Sequence, residues 1–218
     1  MSRVIYACDV GSVRAGTFAW ARVTPDGCDP TASASIDDLV TCLLADVSSS
    51  MSIALGFESP LFMSVPAGSA GLNRGRQGEG NRSMFAPAGA SVTTLGVHEA
   101  AWILRAIGDR ALGVLTYTLD WNTWPPVGDT RSLLVWEAFV SGAAHSPSHE
   151  RDATSAAVFF RDNEDNLDAV NAVTADRPLC LVHAAALWAS WATDFDRLRQ
   201  GCLVLMPGQA YDGSIDLA

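Results

Sequence analysis

Carboxylates seldom sit in apolar runs, because burying an ionised group is costly unless it is paired or bound to a metal. This sequence places acids at or inside three such runs. Asp9 follows Val4-Ile5-Tyr6-Ala7-Cys8, Glu58 ends Ile53-Ala54-Leu55-Gly56-Phe57, and Glu137 sits inside Leu134-Val135-Trp136-Glu137-Ala138-Phe139. A fourth acid, Asp152, opens a helical stretch, His149-Glu150-Arg151-Asp152-Ala153-Thr154. If the three runs are neighbouring strands, the four acids converge at one edge of a sheet. Like charges that close repel unless divalent cations lie between them. Oxygen-only ligands suit Mg²⁺ or Mn²⁺. Two such ions about 4 Å apart flank a phosphate, one activating water and the other stabilising the leaving oxygen. Each acid also has a structural reading. Asp9 before Gly11-Ser12 organises a turn, Glu137 pairs with an arginine, and Asp152 caps a helix or complements its dipole. Glu58 before Ser59-Pro60 is the hardest of the four to explain as structure.

The basic residues narrow the chemistry. All 14 are arginine, so a Walker-type lysine, a Schiff-base lysine and a Ser–Lys dyad are excluded. Between Gly68 and Gly89, Arg74, Arg76 and Arg82 stand among six glycines, opposed only by Glu79. Guanidinium forks suit phosphates, and glycine lets a backbone approach a ligand closely. Such a loop, directly after Glu58, is placed to hold a phosphodiester over metal ions, with Gly78-Glu79-Gly80-Asn81-Arg82-Ser83 as its central part; a solvated loop is the alternative. His149 shares a helix face with Asp152 at i, i+3, a weak indication of proton transfer. Ser12 and Ser59 lack the GxSxG setting of a nucleophile.

The elements that must position these groups follow from periodicity. Residues 3–10 and 17–23 read as strands joined by a glycine turn, an N-terminal hairpin, with a weak third strand at 29–35. Apolar residues at 36, 39, 40, 43, 44 and 47 predict a helix capped by Ser35, with Asp37 and Asp38 in its first turn. Strands are expected over 52–57, 133–140 and 201–206, and helices over 96–107, 149–160 and 179–191. Residues 64–93 read as a long loop and 110–130 give no clear period. Trp121 and Trp124 read as packing under a loop, with base stacking as the alternative. Trp188 and Trp191 read as core or as a subunit interface, leaving room for a homo-oligomer.

A chain of 218 residues is expected to form one domain, spanning 1–218. Its net charge of −10 argues against coating nucleic acid by charge alone. The cysteines at 8, 28, 42, 180 and 202 are odd in number and contain no CxxC pair, so reduced thiols and a cytoplasmic location are expected. No apolar run approaches the ~20 residues of a membrane span.

The order of parts resembles the ribonuclease H-like superfamily, and within it the uncharacterised DUF429-type group of predicted nucleases. The resemblance rests on Ala7-Cys8-Asp9-Val10-Gly11-Ser12, Leu55-Gly56-Phe57-Glu58-Ser59-Pro60-Leu61, Val135-Trp136-Glu137-Ala138-Phe139 and His149-Glu150-Arg151-Asp152-Ala153, and covers about residues 3–206. It implies an α/β domain with a mixed sheet, an N-terminal antiparallel hairpin and flanking helices. It also implies that Asp9, Glu58, Glu137 and Asp152 are catalytic metal ligands of a nuclease acting on nucleic acid; the substrate-binding role of Arg74, Arg76 and Arg82 rests on the composition of the loop itself. The long loop is additional to a minimal fold, and Asp162 and Asp168 compete with Asp152 as the last acid. Two other readings stand beside it. One is a non-catalytic binding module of the same fold. The other follows Asp9-Val10-Gly11-Ser12, which also resembles the first phosphate loop of actin-like kinases; those need a second lobe for which this chain has no room.

Overall fold

The computed structural model describes residues 2–128 and 130–217. Its first strand, β1 (Arg3–Asp9), is apolar from Val4 to Cys8 and is buried throughout that stretch. A short turn (Val13–Ala15), capped by Ser12, returns the chain as β2 (Ala19–Val23), antiparallel to β1 with Cys8 opposite Trp20 and Asp9 opposite Ala19. The expected hairpin is present, and the weak third strand is β3 (Thr31–Ser33), antiparallel to β2. Helix α1 (Ile36–Ser48) begins where the sequence places it, with Ser35 Oγ accepting the Asp38 N–H at 3.2 Å.

The chain continues through β4 (Ser52–Phe57), β5 (Phe62–Ser64), α2 (Pro87–Ala111), β6 (Thr116–Thr118) and β7 (Ser132–Ala138). It ends with α3 (His149–Asp162), α4 (Leu167–Val170), β8 (Pro178–Cys180), α5 (Leu181–Trp188), β9 (Val204–Leu205) and β10 (Asp216–Leu217). Eight strands form one mixed sheet in the order β10-β3-β2-β1-β4-β7-β6, with β9 also on β7; β5 and β8 pair separately. At its centre β1, β4 and β7 run parallel.

Three expectations shift. Helix α2 starts at Pro87 and runs 25 residues, well before residue 96, so the irregular loop ends at 86. Gly89, Ser91, Thr93, Thr94 and Gly96 dilute the apolar period there, while Pro87 suits a first helical position. The apolar stretch 179–191 begins as β8 and becomes helical only from Leu181, because residues 178–180 pair with β5. The last strand is confined to the two residues that reach β7.

Helices cover both faces. On one side Leu39 and Leu43 of α1, Ile103 and Ile107 of α2, and Val182 of α5 pack on Leu55, Phe57 and Val135. On the other, Ala153, Ala157 and Phe160 of α3 pack on Ile5, Ala7, Ala54 and Trp136. Trp136 lies over Gly56, where a Cβ would come within 2.3 Å of the indole, and its ring centroid is 5.0 Å from that of Phe160. Trp124 meets Phe160 edge-on at 5.5 Å, so it packs rather than stacks on a ligand. Trp191 is also packed, donating its indole N–H to the Leu104 carbonyl at 2.8 Å, whereas Trp188 is 68% exposed. No described helix is long and apolar enough to cross a membrane.

Strand register decides which acids can meet. Cys8, Phe57 and Glu137 are aligned across β1, β4 and β7. Successive side chains alternate between faces. Asp9 and Glu58 therefore turn toward the α3 face, and Glu137 turns away from it. Because Gly56 leaves room for the indole beside Glu58, Gly56→Ala is expected to cost about 2 kcal/mol through overpacking against Trp136. Denaturant unfolding checks this: an unchanged midpoint would show that Trp136 moves freely.

Candidate metal centre

Asp9, Glu58 and Asp152 converge, with one carboxylate oxygen of each lying within 4.8 Å of the others. Asp9 comes from the end of β1 and Glu58 from the residue after β4, where its N–H donates to the Cys8 carbonyl at 2.7 Å. Asp152 comes from the first turn of α3 and is 1% exposed. It is not the helix cap, since Ser148 Oγ takes that role by accepting the Arg151 N–H. Asp162 and Asp168, the competing candidates, are exposed and lie outside the cluster.

Two histidines hold the outer aspartates. His149 Nδ1 lies 2.6 Å from Asp9 Oδ2, and His145 Nδ1 lies 2.5 Å from Asp152 Oδ2. The Ser146 N–H donates to Asp152 Oδ1 at 2.7 Å. Glu58 differs: its Oε2 is buried with no hydrogen-bond partner among the described residues. Burial first, then the charges of Asp9 and Asp152, push the Glu58 carboxyl well above its ordinary range, and Arg82 partly opposes this. Burial also raises Asp9 to about 6, against the hydrogen bond from His149. These are the marks of a site short of positive charge. The buried acidic triad offers a metal ion three oxygen ligands.

Glu137 does not join them. Facing the other side of the sheet, its carboxylate takes both Arg76 Nη groups, at 2.6 and 2.7 Å, and the Leu61 N–H at 2.9 Å. Arg76 also bonds Glu79 through Nε at 2.9 Å and stacks over Phe62 at 4.4 Å. The alternative reading of Glu137, an arginine pair, is the one observed. Arg76 lines the cleft beside Glu58 but is 4% exposed, with its guanidinium taken by Glu137 and Glu79. Arg74 is exposed and does not border the cleft that opens beside Glu58. Arg82 is exposed and does border it, together with Pro60, Met84, Val92 and Phe139, around a volume of about 430 Å³.

Glu99 escaped the sequence reading. It lies on α2, 6% exposed, with Oε2 buried and without a hydrogen-bond partner among the described residues, and burial followed by the charge of Asp9 raises it to about 8. Its signal was available: Gly96, Ala100, Ile103 and Ile107 form the inward stripe of α2, and Glu99 falls on it. Gly96 lets this helix close on the turn after β4, since a Cβ there would come within 2.1 Å of Ser59 Oγ. His145 carried no comparable signal, because its role depends on a loop placing it beside Asp152. Compared with family models, curated proteins and solved structures, the chain matches none.

Two outcomes follow from the buried charges. Arg76→Ala strands Glu137 and Glu79 and is expected to cost about 4 kcal/mol of stability; chemical denaturation showing a loss near zero would remove the ionic anchor. Glu99 holds its proton more tightly when folded, rising from 4.5 to about 8. Its contribution to stability is therefore present below about pH 4.5 and lost as pH rises through about 8. Glu99→Gln should flatten the fall in melting temperature of metal-free protein across that window. An unchanged slope would show that Glu99 titrates normally.

Proposed function

We propose that the protein is a divalent-metal-dependent phosphodiester hydrolase of ribonuclease H-like fold, a nuclease acting on nucleic acid. The observation that carries this reading is the triad itself: three carboxylates within 4.8 Å, one with a buried oxygen that has no hydrogen-bond partner among the described residues. The topology supports it. A parallel β1-β4-β7 centre flanked by antiparallel β2 and β3, with acids at the ends of two central strands and on the helix packed across them, follows the order the sequence resemblance implies.

An all-oxygen donor set favours Mg²⁺ or Mn²⁺ over softer metals. Asp9, Glu58 and Asp152 would hold the ion, and when bound it supplies positive charge to a phosphoryl oxygen and lowers the pKa of water. The protein's own groups have separate tasks. His149 and His145 fix the orientation of Asp9 and Asp152, as outer hydrogen bonds commonly do for metal-binding carboxylates. Arg82 presents a guanidinium to a phosphate beside Glu58. The Arg76–Glu137 pair holds Leu61, and so the turn that carries Glu58.

Calorimetric titration of Mn²⁺ into the wild type and Asp9→Asn tests the metal. Binding in the first that is lost in the second is expected; no binding in the wild type would favour a non-catalytic module. Glu58→Gln should lower metal-dependent cleavage by at least about 100-fold. It should also raise metal-free stability at neutral pH by about 1 kcal/mol, because an amide avoids the cost of ionising or protonating a buried carboxyl there. Retained cleavage would end the assignment.

A further inference from the structure

The cleft beside Glu58 combines two chemistries. One wall is apolar: Met84, Val92 and Phe139, from the end of the long loop, the first turns of α2 and the segment after β7, border its volume of about 430 Å³. The other side carries Arg82, the closed Arg76–Glu79–Glu137 group and Glu58, the member of the triad that borders the cleft. Alpha-2 begins at this cleft, with Ala86, Ala88 and Gly89 along it and no side chain capping its first N–H groups. A helix start of this kind adds partial positive charge beside the arginine.

We propose that this cleft seats one terminal nucleotide of a single strand, with the base on the Met84–Val92–Phe139 wall and its phosphate between Arg82 and Glu58, at the edge of the carboxylate triad. This rests on the nuclease reading and names its substrate class. The volume lies in the range of small-ligand pockets, enough for one nucleoside and too small for a helix. Duplex binding by charge engages about 6–10 phosphates. Here the net charge is −10, Arg76 is sequestered by Glu137 and Glu79, and Arg82 is the arginine at the cleft that is exposed. An apolar and aromatic wall supplies what charge does not, since a base buries its faces on such side chains whatever its sequence. The substrate is then held by its end, and the phosphodiester nearest that end lies over the acids.

The test is equilibrium binding to the full chain, with and without Mn²⁺. The probes are the four nucleoside 5′-monophosphates, inorganic phosphate, a single-stranded decamer and a 20-base-pair duplex. At least one monophosphate should bind about tenfold or more tighter than inorganic phosphate, a gap of one contact-sized free energy. The decamer should compete with that monophosphate, and its affinity should depend on salt with a slope shallower than about −2. Arg82→Ala should weaken the monophosphate about tenfold. Val92→Trp, at a half-buried position where the ring fills the cleft, should abolish its binding while thermal melting shows a folded protein. Four results would overturn the proposal: phosphate binding as tightly as every monophosphate, a decamer that does not compete, a duplex that binds more tightly than the decamer, or wild-type affinity in folded Val92→Trp. Failure of the metal reading is separate. It would appear as no Mn²⁺ binding in the wild type, with monophosphate binding still lost in Val92→Trp.

Discussion

The register of three parallel strands governs everything at the candidate centre. Cys8, Phe57 and Glu137 are aligned, so the pleat sends the next residues of β1 and β4, Asp9 and Glu58, to the opposite face. A slip of one residue between β4 and β7 would exchange the faces and bring Glu137 to the triad. The apolar residues prevent it. Val135 belongs to the α2 side and Trp136 to the α3 side, and each fits the cluster it meets. Packing of uncharged side chains thus selects which acids form the site.

That arrangement separates two ways of keeping buried carboxylates. On one face Glu137 and Glu79 share Arg76, and with the Leu61 N–H and the Phe62 carbonyl the group is closed. Ionic groups satisfied in this way hold loops in place, here the segment after β5 against the end of β7. On the other face Asp9, Glu58 and Asp152 have histidines and one backbone N–H but no guanidinium in contact, and Glu58 keeps an orphaned oxygen. Repulsion is left standing there, and burial adds to it by raising the Asp9 and Glu58 carboxyls. Glu99 adds a further unpaired acid behind Asp9.

Most of the framework was legible because local pattern and tertiary role agree. Ser35 with Asp37 and Asp38 announces α1, and the continuous apolar runs into Asp9 and Glu58 announce buried strands ending in acids. Asp9 and Glu58 were legible because acids at the ends of apolar runs have few structural excuses, whereas Asp152, in the first turn of a helix, had a capping role as its equal alternative. Glu137 was misplaced because register is a relation between strands, absent from either strand alone. Arg76 was misplaced because the glycine-rich segment around it reads as solvated, whereas Gln77 pairs with Thr174 through both backbone bonds and draws the segment into the body of the protein. Alpha-2 was shortened because small and hydroxyl residues fill its first turns.

The long loop accordingly divides in function at Glu79. Before it, Arg76 is consumed by structure: its charge is spent on Glu137, and its planar face lies on Phe62. After it, the chain rises past the exposed Arg82 toward the start of α2, along the same cleft that Arg76 and Glu79 also line. The anchored half fixes where the free half begins. Arg82 is exposed, its charge opposes the rise of the Glu58 carboxyl, and among the described residues no ion pair joins the two. A loop built this way can keep one arginine close to an electron-rich centre without neutralising it. That separation is what a site must have if cation and phosphate are both to find a place there.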